Sequence, residues 1–151
     1  MTFALSERSL IKLQGVDERL VDIVRRAIQI TTVDFGVVEG LRSPERQLEL
    51  FNQGASQIKD GGKHVEGKAV DLMAYLGDRG SWELNLYDNI ADAMKQAAIE
   101  RNVAVRWGAA WNVDDIRLWR GTMEEAMNYY IDSRRKLNKR PFIDAPHFEL
   151  V

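Results

Sequence analysis

Residues 63–75 read KHVEGKAVDLMAY, and their second half decides the fold. Ala69–Tyr75 is nearly all apolar, with Asp71 as the odd member, and it reads as a strand. Alternation puts Ala69, Asp71 and Met73 on one face and Val70 and Leu72 on the other. A carboxylate buried there without a partner would be costly. Either this is an edge strand with Asp71 facing water, or Asp71 is paired with a cation. His64 precedes the strand by a turn. Gly67 lets the backbone fold tightly, and Ala69 leaves room against the sheet. A histidine before a turn and an aspartate on the next strand can converge on one point.

On either side, long helices alternate with short strands. Leu5–Leu13 has short helical periodicity with Ser6 as its N-cap, and Gly15 breaks it. Asp17 caps a second helix, with Leu20, Ile23, Val24, Ala27 and Ile28 on one face. DFGVVEGL (34–41) reads as a strand ending at Gly40. Ser43-Pro44-Glu45 opens a helix: a cap, a proline in the first turn, and an acid near the positive end of the dipole. That helix carries Leu48 and Phe51 and stops near Gly54, and 55–68 is loop. Downstream, Tyr87–Arg101 is an amphipathic helix. Val103–Trp107 is a strand, followed by the GAAW turn. Gly121–Leu137 forms a helix with Met123, Ala126, Met127, Tyr130 and Ile131 on one side. Pro146–Val151 is a closing strand. Continuous βαβ units are few, so the expected fold is α+β: one compact domain over 1–151, with a small central antiparallel sheet flanked by helices.

Bulk composition narrows the function. The 151 residues are 45% hydrophobic and 29% charged, the balance of a globular domain with one core. A net charge of -2 lacks the basic bias of a nucleic-acid binder. There is no cysteine, so any metal would be held by His, Asp and Glu. The opening MTFALSERSLIKLQ is not a secretory signal, and no apolar run approaches the roughly 20 residues of a membrane span. The expectation is a cytoplasmic monomer that does not insert into a membrane.

The chain has two histidines. The second, His147, lies in FIDAPHFELV (142–151). Pro146 pushes Ala145 into an extended conformation. His147 and Glu149 then share one strand face, with Phe148 on the other and Asp144 on the preceding turn. Two histidines and one aspartate, with a free carboxylate nearby, make up the inventory of a catalytic zinc site. Such a site has three N/O ligands, a fourth position open to water, and a base. The plainer reading of Asp144 is a turn-capping aspartate. Arg42 sits on a strand-to-helix corner, where a guanidinium can hold a developing oxyanion. Taken alone, it reads first as a surface arginine.

EGLRSPERQLELFNQGAS (39–56), KHVEGKAVDL (63–72), RWGAAW (106–111) and FIDAPHFELV together resemble the zinc L-alanyl-D-glutamate peptidases of tailed phages. These are grouped with the D-alanyl-D-alanine carboxypeptidases, within the wider lysostaphin/DD-carboxypeptidase/hedgehog set. The resemblance covers most of the chain and weakens across 113–140. It implies His64, Asp71 and His147 as zinc ligands, Asp144 as the general base, and Arg42 as the carbonyl or oxyanion clamp. Glu149 and Trp111 are implied as supporting residues, Glu149 by orienting a histidine. The implied activity is that of an endolysin cutting the peptidoglycan stem peptide, without a separate wall-binding domain. Access to the wall would come through a membrane-permeabilising partner such as a holin.

The sequence departs from the family pattern in three places. Gly62 stands where a serine is usual, and Ala110 where close relatives often carry an acid. The 113–140 segment is longer than the simplest members need, which suggests a lid beside the cleft. Its basic cluster (Arg134, Arg135, Lys136, Lys139, Arg140) reads as a solvated helix end, or as a contact with an anionic envelope polymer. Two other functions fit the same residues. One is a carboxypeptidase releasing terminal D-alanine; the other is a binding module in which zinc is structural.

Overall fold

The computed structural model describes residues 2–56, 58 and 61–151. Its described elements run α1 (Glu7–Lys12), α2 (Glu18–Ile30), β1 (Asp34–Glu39), α3 (Pro44–Asn52), β2 (Ala69–Leu76), β3 (Arg79–Ser81), α4 (Leu84–Arg101), β4 (Val105–Trp107), α5 (Met123–Lys136) and β5 (His147–Leu150). A short 3-10 turn lies at Ile116–Leu118. The sheet order is β1-β2-β5-β4, with β3 also on β2, and every pairing is antiparallel. The architecture is α+β, as expected.

Local chemistry accounts for most boundaries. Ser6, Asp17 and Ser43 each accept a backbone N–H in the first turn of the helix that follows. Thr122 and Glu125 close a reciprocal capping box on α5. Leu20, Ile23, Val24, Ala27 and Ile28 are all buried, on the face that packs α2 against α4. Each large aliphatic buried this way contributes about 1.5–3 kcal/mol relative to exposure.

β2 is the axis of the sheet, flanked by β1 and β5, which excludes the edge-strand reading. Val70, Leu72 and Ala74 point into the core, while Asp71 and Met73 are only half-buried on the other face. β3 is too short and polar to be legible in the sequence. It is tied to β2 by Tyr87, whose hydroxyl donates to the Ser81 carbonyl (2.7 Å) and accepts from Ala74 N (3.1 Å). In α3 the apolar residues are not the buried ones. Leu48 and Phe51 are 41% and 38% exposed, whereas Gln47 is 2% exposed. Gln47 turns inward because its amide joins Arg42, Ser56 and the Ile58 carbonyl.

Asp88 of α4 is 5% exposed. Burial, followed by Glu124 and Asp92 nearby, pushes its carboxyl up to about 6. A carboxyl raised in the folded state binds its proton more tightly there than in the unfolded chain. Its ionisation therefore weakens the fold as pH rises from about 4 through 6. Asp88→Asn is expected to stabilise the protein by up to about 2 kcal/mol at pH 8, with the gain vanishing near pH 4. Denaturant unfolding of both proteins at the two pH values checks this; an equal gain at both would contradict it.

Candidate metal and catalytic centre

Sheet register brings the two distant histidine stretches together. Asp71 of β2 pairs directly with His147 of β5, so the two side chains leave the sheet side by side. Glu149, two residues on, shares that face. His64 arrives from the loop before β2. Its carbonyl accepts Arg42 N at 3.0 Å, and the turn closes through Gly67, at φ +72°. The Gly67 carbonyl accepts Asp17 N at 2.8 Å. A Cβ on Gly67 would lie 2.7 Å from the Gly15 carbonyl oxygen, so only glycine fits this close approach.

One atom from each residue faces a common centre. His64 Nε2 lies 3.3 Å from Asp71 Oδ1, and His147 Nδ1 lies 3.2 Å from the same oxygen. A ligand atom from each of the three falls within 4.8 Å of the others. The outer nitrogens are occupied. His64 Nδ1 donates to the Gly40 carbonyl at 2.9 Å, which turns Nε2 inward. His147 Nε2 donates to Glu149 Oε1 at 2.8 Å. Glu149 thus fixes the His147 ring from its outer side.

The electrostatics favour a cation at this centre. Burial raises the Asp71 carboxyl, but the hydrogen bonds from His147 and His64 outweigh it and hold the group well below the usual carboxylate range. Burial also pulls His147 down, yet its bonds to Asp71 and Glu149 push it up to about 9. The field of the surrounding carboxylates therefore holds a positive charge on His147. A metal ion bound to the inward-facing nitrogens and Asp71 satisfies the same field. Two imidazole nitrogens, one carboxylate oxygen and ordered outer bonds can hold such an ion.

Arg42 and Asp144 line the same cleft, whose volume is about 550 Å³. Arg42 is no surface arginine: its side chain is 9% exposed. Nε donates to Glu39 Oε1 at 2.7 Å and Nη1 to Gln47 Oε1 at 2.8 Å, while Nη2 lies 3.9 Å from Asp71 Oδ2. Asp144 Oδ2 lies 4.0 Å from His147 Nδ1, with its side chain 40% exposed to the cleft. Its carboxyl is raised, by burial first and then by the charge of Asp71. The turn holding Asp144 is pinned to Gly108: Asp144 N donates to the Gly108 carbonyl and Gly108 N to the His147 carbonyl, both at 2.8 Å. A Cβ on Gly108 would press on the Asp144 carbonyl and sit 3.0 Å from His147 Cβ, so this approach also requires glycine.

Trp111 stands beside the histidines. Its ring lies 5.6 Å from His147 and 6.2 Å from Phe142, and its buried Nε1 has no hydrogen-bond partner among the described residues. Arg106 holds it, donating to its carbonyl and lying 5.2 Å from its ring centroid. Sequence reasoning missed Glu39, Gln47, Arg106 and the cleft wall formed by Tyr130, Arg134 and Phe142. The one available signal was the spacing of Tyr130 and Arg134, four apart on a helix and so on one face.

Comparisons with known proteins give this geometry its context. The family model described as phage L-alanyl-D-glutamate peptidase matches residues 1–151. The L-alanyl-D-glutamate peptidase of Escherichia phage T5 is 30% identical over 132 residues, covering 82% of this chain and 95% of that protein. The crystal structure of the Serratia marcescens L-Ala D-Glu endopeptidase ChiX superposes with a TM-score of 0.71 at 33% identity. That match covers 96% of this chain and 87% of the other. Fold, sequence and the clustered histidines and aspartate agree: the chain belongs to the phage L-alanyl-D-glutamate peptidase family.

Proposed function

We propose that the protein is a zinc-dependent endolysin, a single catalytic domain that hydrolyses the L-alanyl-D-glutamate bond of the peptidoglycan stem peptide. The observation that carries this reading is the convergence of His64, Asp71 and His147 in a cleft also lined by Asp144 and Arg42. The named activities of the phage T5 and Serratia relatives support the choice of bond. Two imidazoles and a carboxylate without thiolates suit zinc in a catalytic setting, where three protein ligands leave a position open. Zinc held there would lower the pKa of a water to about 7 and polarise the scissile carbonyl.

The chain's own residues then have distinct tasks. Asp144, partly exposed in the cleft and with its carboxyl raised by burial, takes the proton from the attacking water. It later returns that proton to the leaving amine. Arg42, braced by Glu39 and Gln47, offers an immobile cation to the carbonyl oxygen as charge develops there. Glu149 and the Gly40 carbonyl keep the imidazoles from rotating. Neither a base nor an oxyanion clamp is needed by a purely structural zinc site, which argues against the binding-module reading.

The test is lysis of outer-membrane-stripped Gram-negative walls before chelation, after chelation, and after zinc add-back, with mass spectrometry of the fragments. The expected result is loss with chelator, recovery with zinc, and new amino termini on D-glutamate. Release of free D-alanine instead would make the protein a carboxypeptidase. Tight zinc binding without cleavage would make it a binding module. In the host, no lysis is expected until a membrane-permeabilising partner such as a holin opens a route to the wall.

A further inference from the structure

Among the described residues, four cationic side chains line the cleft: Arg42, Lys63, Arg106 and Arg134. Two are held by neighbours within the cleft wall. Arg42 is held by Glu39 and Gln47. Arg106 is held by the carbonyl and ring of Trp111. The Lys63 side chain makes no hydrogen bond or ion pair among the described residues; burial raises the Glu149 carboxyl, His147 lowers it, and the charge of Lys63 adds a smaller lowering. Arg134 differs. Its Nε and Nη2 donate to one acceptor, the Arg140 carbonyl, at 3.3 and 3.2 Å. Among the described residues it makes no ion pair, and its Nη1 has no protein acceptor. Arg135, Lys136, Lys139 and Arg140 are exposed, as a solvated helix end should be, whereas Arg134 is half-buried in the cleft wall.

The position of Arg134 relative to Asp144 gives it a direction. Arg134 holds the Arg140 carbonyl, and Tyr130, one turn earlier, accepts Phe142 N at 3.1 Å through its hydroxyl. Together they brace segment 140–144, which ends in Asp144. In the proposed reaction Asp144 protonates the leaving nitrogen of D-glutamate. The α-carbon bearing that nitrogen also bears a carboxyl group. D-glutamate has two carboxyls, and where the stem continues through the γ carbon, the α-carboxylate is free. It therefore enters the cleft near Asp144, and Arg134 lines that same cleft.

We infer that Arg134 receives the free α-carboxylate of the leaving D-glutamate, and so selects for an acid at that position. This rests on the peptidase reading above. A planar guanidinium with an uncommitted edge matches a carboxylate geometrically, and partial burial strengthens the pair.

The experiment compares two synthetic stem peptides: one with D-glutamate, joined through its γ-carboxyl, and one with the α-carboxamide in its place. kcat and KM are measured for zinc-loaded wild type, R134Q and R134K. Wild type is expected to prefer the acid by about tenfold to a hundredfold, mainly through KM. R134Q should bring the ratio near one by losing rate on the acid alone, and R134K should keep part of the preference. An indifferent wild type overturns the inference. So does an R134Q that slows both peptides equally and keeps the ratio, because Arg134 would then only brace the 140–144 segment. If wild type cleaves neither peptide at this bond, the peptidase reading itself falls, and this inference with it.

Discussion

Asp71→Asn is expected to yield a folded protein that no longer holds one metal ion per chain and has lost activity by at least about a thousandfold. That exceeds the 10–100-fold that loss of an outer-sphere partner typically costs. The reason is geometric. Asp71 Oδ1 is the oxygen within 3.3 Å of both inward-facing imidazole nitrogens. Asparagine has the same shape and leaves the pairing of β2 with β1 and β5 intact, so the sheet should survive. What goes is the charge that two histidines stabilise, and with it the anionic ligand of the site. Metal content by mass spectrometry, circular dichroism and turnover should be read on the same sample. Stoichiometric metal with normal turnover in Asp71→Asn would remove Asp71 from the centre.

His64, Asp71 and His147 were legible as a candidate metal-holding group because they lie in or beside elements with strong local signals. Strand alternation placed Asp71 opposite Val70 and Leu72, and Pro146 set the phase of His147 and Glu149. The antiparallel pairing of β2 with β5 was legible only as a class of fold. The register that sets Asp71 directly opposite His147 is a non-local fact with no counterpart in either stretch alone. Long polar side chains were the least legible, since no periodicity records where they reach. Gln47 lies among apolar neighbours on α3, yet it is the one that turns inward. Arg42 was ambiguous until Glu39 and Gln47 were seen to hold it. The basic run 134–140 hid Arg134 because composition does not separate one residue facing the cleft from four facing water.

Asp144→Asn should separate catalysis from metal binding. The expected loss is in kcat, by about 10²–10⁴-fold, with metal content and KM close to wild type. Asparagine keeps the backbone contacts that fix the turn, namely Asp144 N to the Gly108 carbonyl and His147 N to the Asp144 carbonyl, at 2.8 and 3.0 Å. It can neither accept the proton of the attacking water nor return one to the leaving amine. Asp144 lies near the histidines but outside the group that could hold a metal, so its loss leaves that candidate donor set whole. The pair of variants is therefore diagnostic: Asp71→Asn loses metal and activity together, whereas Asp144→Asn loses activity with the metal still bound. If Asp144→Asn kept its kcat, no other carboxylate among the described residues of the cleft could readily replace it. Asp71 is committed to the centre, Glu149 to His147 and Glu39 to Arg42. The proton would then have to move by water alone, and the hydrolytic mechanism proposed for this cleft would be wrong.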